Sequence, residues 1–170
     1  MSPIVVNIHE RVIPASVDAV GRMIDTLGSS GDGVWPHDRW PAMKLDRPLQ
    51  VGATGGHGPI RYRVETYEPG RKARFRFLSP EGFDGTHGFD VEDVLGGASK
   101  LRHTIEMKTA GIAVLNWFLV IRPLHDALME DALDKVEGTF CDVGPPKAWS
   151  RRVVLLRWLV RKSGGHRRRK

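Results

Sequence analysis

The run from Gly111 to Gly138 (GIAVLNWFLVIRPLHDALMEDALDKVEG) sets the strongest limit on the fold, because it is the only long segment with helical periodicity. Val114, Trp117, Phe118, Ile121, Leu124, Leu128, Ala132 and Val136 recur at the spacing of one buried helix face. Asp126, Glu130, Asp131, Asp134 and Lys135 fall largely on the opposite side. A helix of this length is roughly 40 Å long, enough to cross a small sheet. Its first part, Ile112 to Ile121, is apolar nearly all round, with Asn116 as the exception. That stretch is far short of the ~20 residues a bilayer needs, which predicts protein cover on more than one side. Pro123 lacks an N–H and predicts a bend or restart near Val120 to Arg122, and Gly138 marks a stop.

The chain before this helix alternates with a period of two. Ile4 to Ile13 reads as a strand with Val6, Ile8 and Val12 on one face and Glu10 among them. Pro14 ends it, and Ser16 is placed to cap a short helix over Val17 to Leu27. Trp35 to Met43 holds two Trp-Pro pairs and predicts an irregular segment carrying two large rings into a core or cavity. Leu49 to Thr54 reads as a short strand, and GATGGHG after it as a hairpin turn around His57. That glycine run lacks the Lys-Ser/Thr ending of a phosphate loop.

Four longer strands follow. Ile60 to Tyr67 puts Ile60, Tyr62 and Val64 inward, and Lys72 to Leu78 does the same with Ala73, Phe75 and Phe77. Phe83 to Leu95 and Leu101 to Met107 are joined by a glycine hairpin. Strands of this kind imply an antiparallel sheet with one buried face, and the late helix must cover that face. The predicted fold class is α+β: a curved antiparallel sheet of six or seven strands wrapped around a long C-terminal helix.

Charge is unevenly spread. Residues 1–141 carry 16 Lys/Arg against 19 Asp/Glu, whereas residues 142–170 carry 10 against one. The body is mildly acidic and the basic character belongs to the tail, so a nucleic-acid argument reaches the tail alone, and no element there reads bases. The expected division is therefore a domain over 1–141 and a basic tail over 142–170. The one cysteine, Cys141, excludes an internal disulfide. No signal-peptide pattern opens the chain, so a cytoplasmic setting is expected.

The order of elements resembles the helix-grip fold of the START-like superfamily, also called SRPBCC, which includes polyketide cyclase/dehydrase and lipid-transport proteins. The residues carrying the resemblance are Ile13-Pro14-Ala15-Ser16 leading into the first helix, Tyr67-Glu68-Pro69-Gly70 before the Phe75/Phe77 strand, and WFLVIRPLHDALMEDALDKVE. It covers residues 4–138. It implies a cavity between sheet and helix that holds a small apolar or amphipathic ligand. The superfamily has no shared catalytic motif, so the resemblance does not choose between carrier and enzyme.

Strand parity nominates the polar groups that face inward. Phe89, Val91 and Leu95 define one inner face, and His87 shares it. His103 lies between Leu101 and Ile105, and a hairpin loop over Gly96 to Ala98 sets Val91 opposite His103 and Met107 opposite His87. His125 follows the Pro123 bend, and Glu10 is a further inward candidate. The expected lining is Tyr62, Phe75, Phe89, His103, Trp117, Ile121 and His125. For an enzyme of the cyclase/dehydratase kind, His87 or His103 is the candidate general base, since an imidazole titrates near neutral pH. No His-x-x-x-His or cysteine pair is present, so neither a metal nor a cofactor is expected.

The tail segment Trp149 to Lys162 (WSRRVVLLRWLVRK) is basic and apolar. Three placements fit it: an anionic membrane surface reached through Arg151 to Lys162, a partner such as a second copy in a homodimer, or its own domain. GGHRRRK closes the chain, and its final Arg/Lys cluster is expected to be disordered, with at most non-specific nucleic-acid affinity.

Overall fold

A computed structural model describes residues 2–166. The seven-stranded antiparallel sheet has the order β1-β7-β6-β5-β4-β3-β2. Its strands are β1 (Ile4–Ile13), β2 (Lys44–Leu45), β3 (Thr54–His57), β4 (Ile60–Glu68), β5 (Lys72–Ser79), β6 (Phe83–Val94) and β7 (Ala98–Thr109). Helix α1 (Val17–Ile24) follows β1. The long helical segment is α2 (Ile112–Asn116), a π-helical turn (Trp117–Ile121) and α3 (Arg122–Glu137), and α4 (Arg151–His166) comes last. The α+β reading and the strand count hold. Arg167 to Lys170, where the non-specific nucleic-acid affinity was expected, lie outside the described residues.

Ser16 caps α1 as its type and position predict, accepting the Ala19 N–H at 3.3 Å. Gly21 on this helix has no room for a Cβ, because the backbone of Gly70 in the β4–β5 turn packs directly on it. The Asp25 carboxylate accepts the Tyr67 hydroxyl at 2.9 Å and the Gly70 N–H at 2.8 Å, which fixes α1 to that turn.

β1 corrects the sequence reading. Ile4, Val6, Ile8 and Val12 are exposed, and Val5, Asn7, His9, Arg11 and Ile13 face the helix. Glu10 points out and pairs with Arg102 at 3.0 Å. The polar face turns inward because α3 offers it an acidic stripe at helical spacing. Asn7 donates to Asp126 at 3.1 Å, His9 meets Asp126 at 3.1 Å and Glu130 at 3.0 Å, and Arg11 bonds Glu130, Asp134 and Glu137. The seam between edge strand and helix is therefore ionic, not apolar.

The region before β4 also differs. Residues 49–52 form no strand. The Asp46 carboxylate accepts the Thr54 N–H at 2.9 Å and its hydroxyl at 3.0 Å, which closes residues 46–54 into a loop. Thr54–His57, expected as part of a hairpin turn, is β3, with His57 paired to Ile60. Between β6 and β7 the register is displaced by two from the expected one: His103 lies opposite Phe89 and His87 opposite Ile105. The loop is Leu95 to Gly97, with Val94 opposite Ala98, and Leu95 is fully exposed at its tip. A shift of two keeps side-chain parity, so the inner face is unchanged.

The helix irregularity falls where Pro123 predicts it. The Arg122 N–H reaches back to Trp117 O, five residues earlier, and Pro123 has no N–H to donate. The Phe118 and Leu119 carbonyls thereby lose their helical donors. Arg152 of α4 supplies both, at 3.2 and 3.0 Å. The wide turn also changes the helix phase: Trp117 is buried, while Phe118, expected on the same face, is exposed. Ile112, Leu115 and Leu119 are exposed too, so the expected cover on several sides is absent; the sheet lies against one side only. Asp131, assigned to the solvent side, is buried.

Candidate functional site

A cavity of about 460 Å³ opens between the concave sheet face and the helical segment. Phe77, Phe83, His87 and Ile105 contribute from the strands, and Trp117, Val120, Ile121, Leu124, His125 and Leu128 from the helix. His57 to Ile60, Trp40 and the α4 residues Arg157, Val160 and Arg161 close the rest. Apolar side chains dominate this wall, with the imidazoles of His57, His87 and His125 set among them and Asp38, Arg39, Arg157 and Arg161 adding charge.

Of the sequence-nominated residues, Trp117, Ile121, His125 and His87 line the cavity. Tyr62, Phe75, Phe89 and His103 form the layer behind it, each almost fully buried. That layer positions His87. Its ring stacks on Phe75 and Phe77, with centroids 5.2 and 4.8 Å away, and meets Tyr62 edge-on at 4.8 Å. His87 Nδ1 shares a hydrogen bond of 3.4 Å with His103 Nε2. His103 in turn packs on Phe89 at 4.7 Å and on His125 at 5.0 Å. His87, His103 and His125 are thus brought into one contiguous cluster, and two of the three reach the cavity.

His57 is the cavity histidine that sequence reasoning did not nominate. It sits between Trp35, at a centroid distance of 4.5 Å, and Tyr62, whose hydroxyl lies 3.2 Å from its Nδ1. Thr54 to His57 (TGGH) has no alternation to mark it as a strand, and its glycines read as a turn. His9 was missed for a different reason: β-branched residues occupy both faces of β1, so parity did not choose between them.

Burial favours the neutral form of His57, His87, His103 and His125. Burial, with the neighbouring His125 and Arg61, lowers His57 to about 3, and its accessible edge lines the cavity. Burial likewise pushes His87 and His103 well below the ordinary histidine value, helped by the surrounding imidazoles and Arg74. Burial lowers His125, against the pull of Asp126. His9 moves the other way: its bonds to Asp126 and Glu130 outweigh its burial and raise it. His87 Nε2 has no protein partner and His87 lines the cavity. A neutral imidazole so placed accepts or donates one hydrogen bond, or takes a proton from a bound molecule.

The rim carries a second cluster. Asp131 accepts Arg39 Nη1 and Trp40 Nε1, both at 2.6 Å, and Trp149 Nε1 at 3.0 Å. Arg157 of α4 lies over the rings of Trp40 and Trp149 at 4.1 and 3.8 Å and donates to Arg39 O at 2.6 Å. Of the three placements open to the tail segment, contact with its own domain is observed.

No family model and no curated protein matches the chain by sequence. Solved structures do match it. A norcoclaurine synthase from Thalictrum flavum, a point mutant holding a transition-state analogue, aligns with a TM-score of 0.59 at 13% identity, over 82% of this chain and 97% of that one. Ara h 8.0201 gives 0.59 at 11% identity, over 81% and 98%. CalU16 from Micromonospora echinospora gives 0.55 at 18% identity, over 93% and 84%. The chain has a helix-grip fold. Identities this low carry the fold and not an activity.

Proposed function

We propose that this helix-grip protein, of SRPBCC type, binds and carries a small hydrophobic or amphipathic molecule of lipid, polyketide or aromatic character in the cavity between its sheet and its long helix. The cavity itself supports the reading: about 460 Å³ falls within the roughly 300–1,000 Å³ of small-molecule sites. Apolar walls favour a largely hydrocarbon or aromatic ligand. His57, His87 and His125 suit a ligand with one or two hydroxyl or carbonyl groups, because neutral imidazoles bind these without a buried charge.

Native mass spectrometry of protein purified from cells, followed by extraction, tests the reading directly. A co-purifying small molecule in about 1:1 ratio is the expected result. Ile121→Trp fills the cavity and is expected to abolish both this ligand and enhanced fluorescence from 1-anilinonaphthalene-8-sulfonate. Unaltered binding in a folded Ile121→Trp protein places the ligand elsewhere and ends the proposal.

A second reading rests on the unpartnered Nε2 of His87. In a cyclase/dehydratase-type enzyme this nitrogen takes a proton from the bound substrate, and His103 orients the ring through the 3.4 Å contact. Conversion of the co-purified molecule by wild-type protein, lost in His87→Phe with binding retained, supports catalysis. Identical behaviour of the two proteins supports carriage.

The exposed faces of the π turn and of α4 suggest how a ligand arrives. Phe118 and Leu119 on the π turn and Leu155 and Trp158 on α4 are exposed, and Arg151, Arg152, Arg161 and Lys162 accompany them. This combination suits docking on an anionic membrane surface. Leu155→Glu together with Trp158→Glu is expected to reduce co-sedimentation with phosphatidylserine vesicles about tenfold or more, since each apolar anchor contributes roughly 1.5–3 kcal/mol when buried. Equal sedimentation of wild type and variant removes the membrane from the proposal.

A further inference from the structure

The β1–α3 seam holds an arrangement that shares His125 alone with the cavity wall. His9 Nε2 and Asp126 Oδ1 are 3.1 Å apart, and His125 Nδ1 lies 3.8 Å from the same oxygen. One ligand atom from each of these three residues lies within 4.8 Å of the others. The His9 and His125 rings meet at a centroid distance of 5.7 Å. His125 has no hydrogen-bond partner on either nitrogen, although it is mostly buried. We propose that His9, His125 and Asp126 form a binding site for a first-row divalent cation, with zinc as the best-matched ion.

Three observations carry this assignment. The first is spacing. Donors in a tetrahedral zinc site with bonds of roughly 2.0–2.1 Å stand about 3.3 Å apart, and the two separations from Asp126 bracket that value. The site closes by small side-chain rotations. The second is donor type. Two imidazoles and one carboxylate favour zinc and its transition-metal neighbours over magnesium or calcium, which take oxygen donors.

The third is the surrounding support. Glu130 Oε1 holds His9 Nδ1 at 3.0 Å, so Nε2 is the free donor once the cation replaces the proton it shares with Asp126. Arg11 fixes the other Glu130 oxygen at 3.0 Å, and Asn7 donates to Asp126 Oδ1 at 3.1 Å. A carboxylate behind a ligating histidine is the usual device for setting its tautomer and direction. Arg122 Nε lies 3.7 Å from Asp126 Oδ2 and is itself half-exposed. Asp126 is 38% exposed and provides the entry path, and solvent completes the coordination.

The ligands lie on elements 117 positions apart, so no spacing motif announces them. The metal-free expectation drawn from the linear pattern does not reach such a site.

The full chain, purified without a histidine tag and stripped with EDTA, is titrated with Zn²⁺ by calorimetry and with Co²⁺ by visible absorption. One equivalent is expected to bind, with the intense d–d bands of a four- or five-coordinate cobalt site. In the wild type, Zn²⁺ is expected to shift the His9 and His125 imidazole resonances and leave those of His37 in place. His9→Gln and His125→Gln are each expected to weaken binding on the order of a hundredfold, and Glu130→Gln about tenfold. No stoichiometric uptake by the wild type overturns the proposal, whatever the variants do. So does uptake that leaves the His9 and His125 resonances unmoved, or that survives in both folded ligand variants. Ligand occupancy of the cavity is read separately by 1-anilinonaphthalene-8-sulfonate in the His9→Gln protein, whose substitution lies outside the cavity wall.

Discussion

Acidification from pH 6.5 to pH 5 will destabilise the protein, with buried His57 adding to a loss of roughly 3 kcal/mol from His87 and His103. Both side chains are buried and both are held well below the ordinary histidine value, first by desolvation and then by neighbouring imidazoles. Above about pH 6.5 neither the folded nor the unfolded chain protonates them. Below it the unfolded chain takes up protons that the folded chain refuses, so stability falls as pH falls. Each such imidazole contributes about 1.4 kcal/mol per pH unit. Against a typical stability of about 5–15 kcal/mol the combined loss is large.

His9 does not offset the loss in this window. Its folded value is raised, so its contribution is complete below about pH 6.5 and disappears only as pH rises through the folded value. Urea unfolding at intervals from pH 7.5 to 5 measures both effects. His87→Gln and His103→Gln are each expected to flatten the acid limb by about 1.4 kcal/mol per pH unit. An acid limb as steep in both variants as in the wild type contradicts the assignment.

Asp131→Ala will destabilise the fold by about 3–5 kcal/mol, the usual consequence of removing one partner from a buried ion pair. Asp131 is the common acceptor for Arg39, Trp40 and Trp149. Without it Arg39 and Arg157 face each other across two indole rings with no anion between them. The same substitution is expected to release α4, because Arg157 and Trp149 join that helix to the cavity rim. Chemical denaturation reads the first effect. Limited trypsin digestion reads the second, as faster cleavage after Lys147 and Arg151. Unchanged protection of these bonds in Asp131→Ala would show that the carbonyl clasp by Arg152 suffices to hold α4.

Sequence pattern captured the architecture because most of the sheet obeys strict alternation. β4 to β7 expose one face and bury the other, and a hairpin slip of two residues left each inward side chain inward. The long helix was legible for the same reason, down to the disturbance at Pro123. The failures share a physical cause: polar groups satisfied by distant partners look like surface groups in one dimension. Asn7, His9 and Arg11 face inward because an acidic stripe from the far end of the chain receives them. Asp131 is buried because two indoles and a guanidinium from two separate segments surround it. His57 escaped notice because glycines that relieve close backbone contact also look like turn formers. Within the site, parity identified the inward set but not its depth. Tyr62, Phe75, Phe89 and His103 share the inner face with His87, yet only His87 reaches the cavity surface.

The pairing of β1 with β7 sets a timetable for synthesis. Ile4 is matched with Lys108, so the first strand to leave the ribosome waits for the last strand of the sheet. At about 5–20 residues per second, that wait is on the order of 5–20 s. Throughout it, Ile4, Val6, Ile8 and Val12 line one side of an unpaired strand, and its charged side lacks the α3 carboxylates that later neutralise it. Sheet closure is therefore delayed until late in synthesis, and the nascent chain is open to β-strand association and chaperone capture until residue 108 has cleared the exit tunnel.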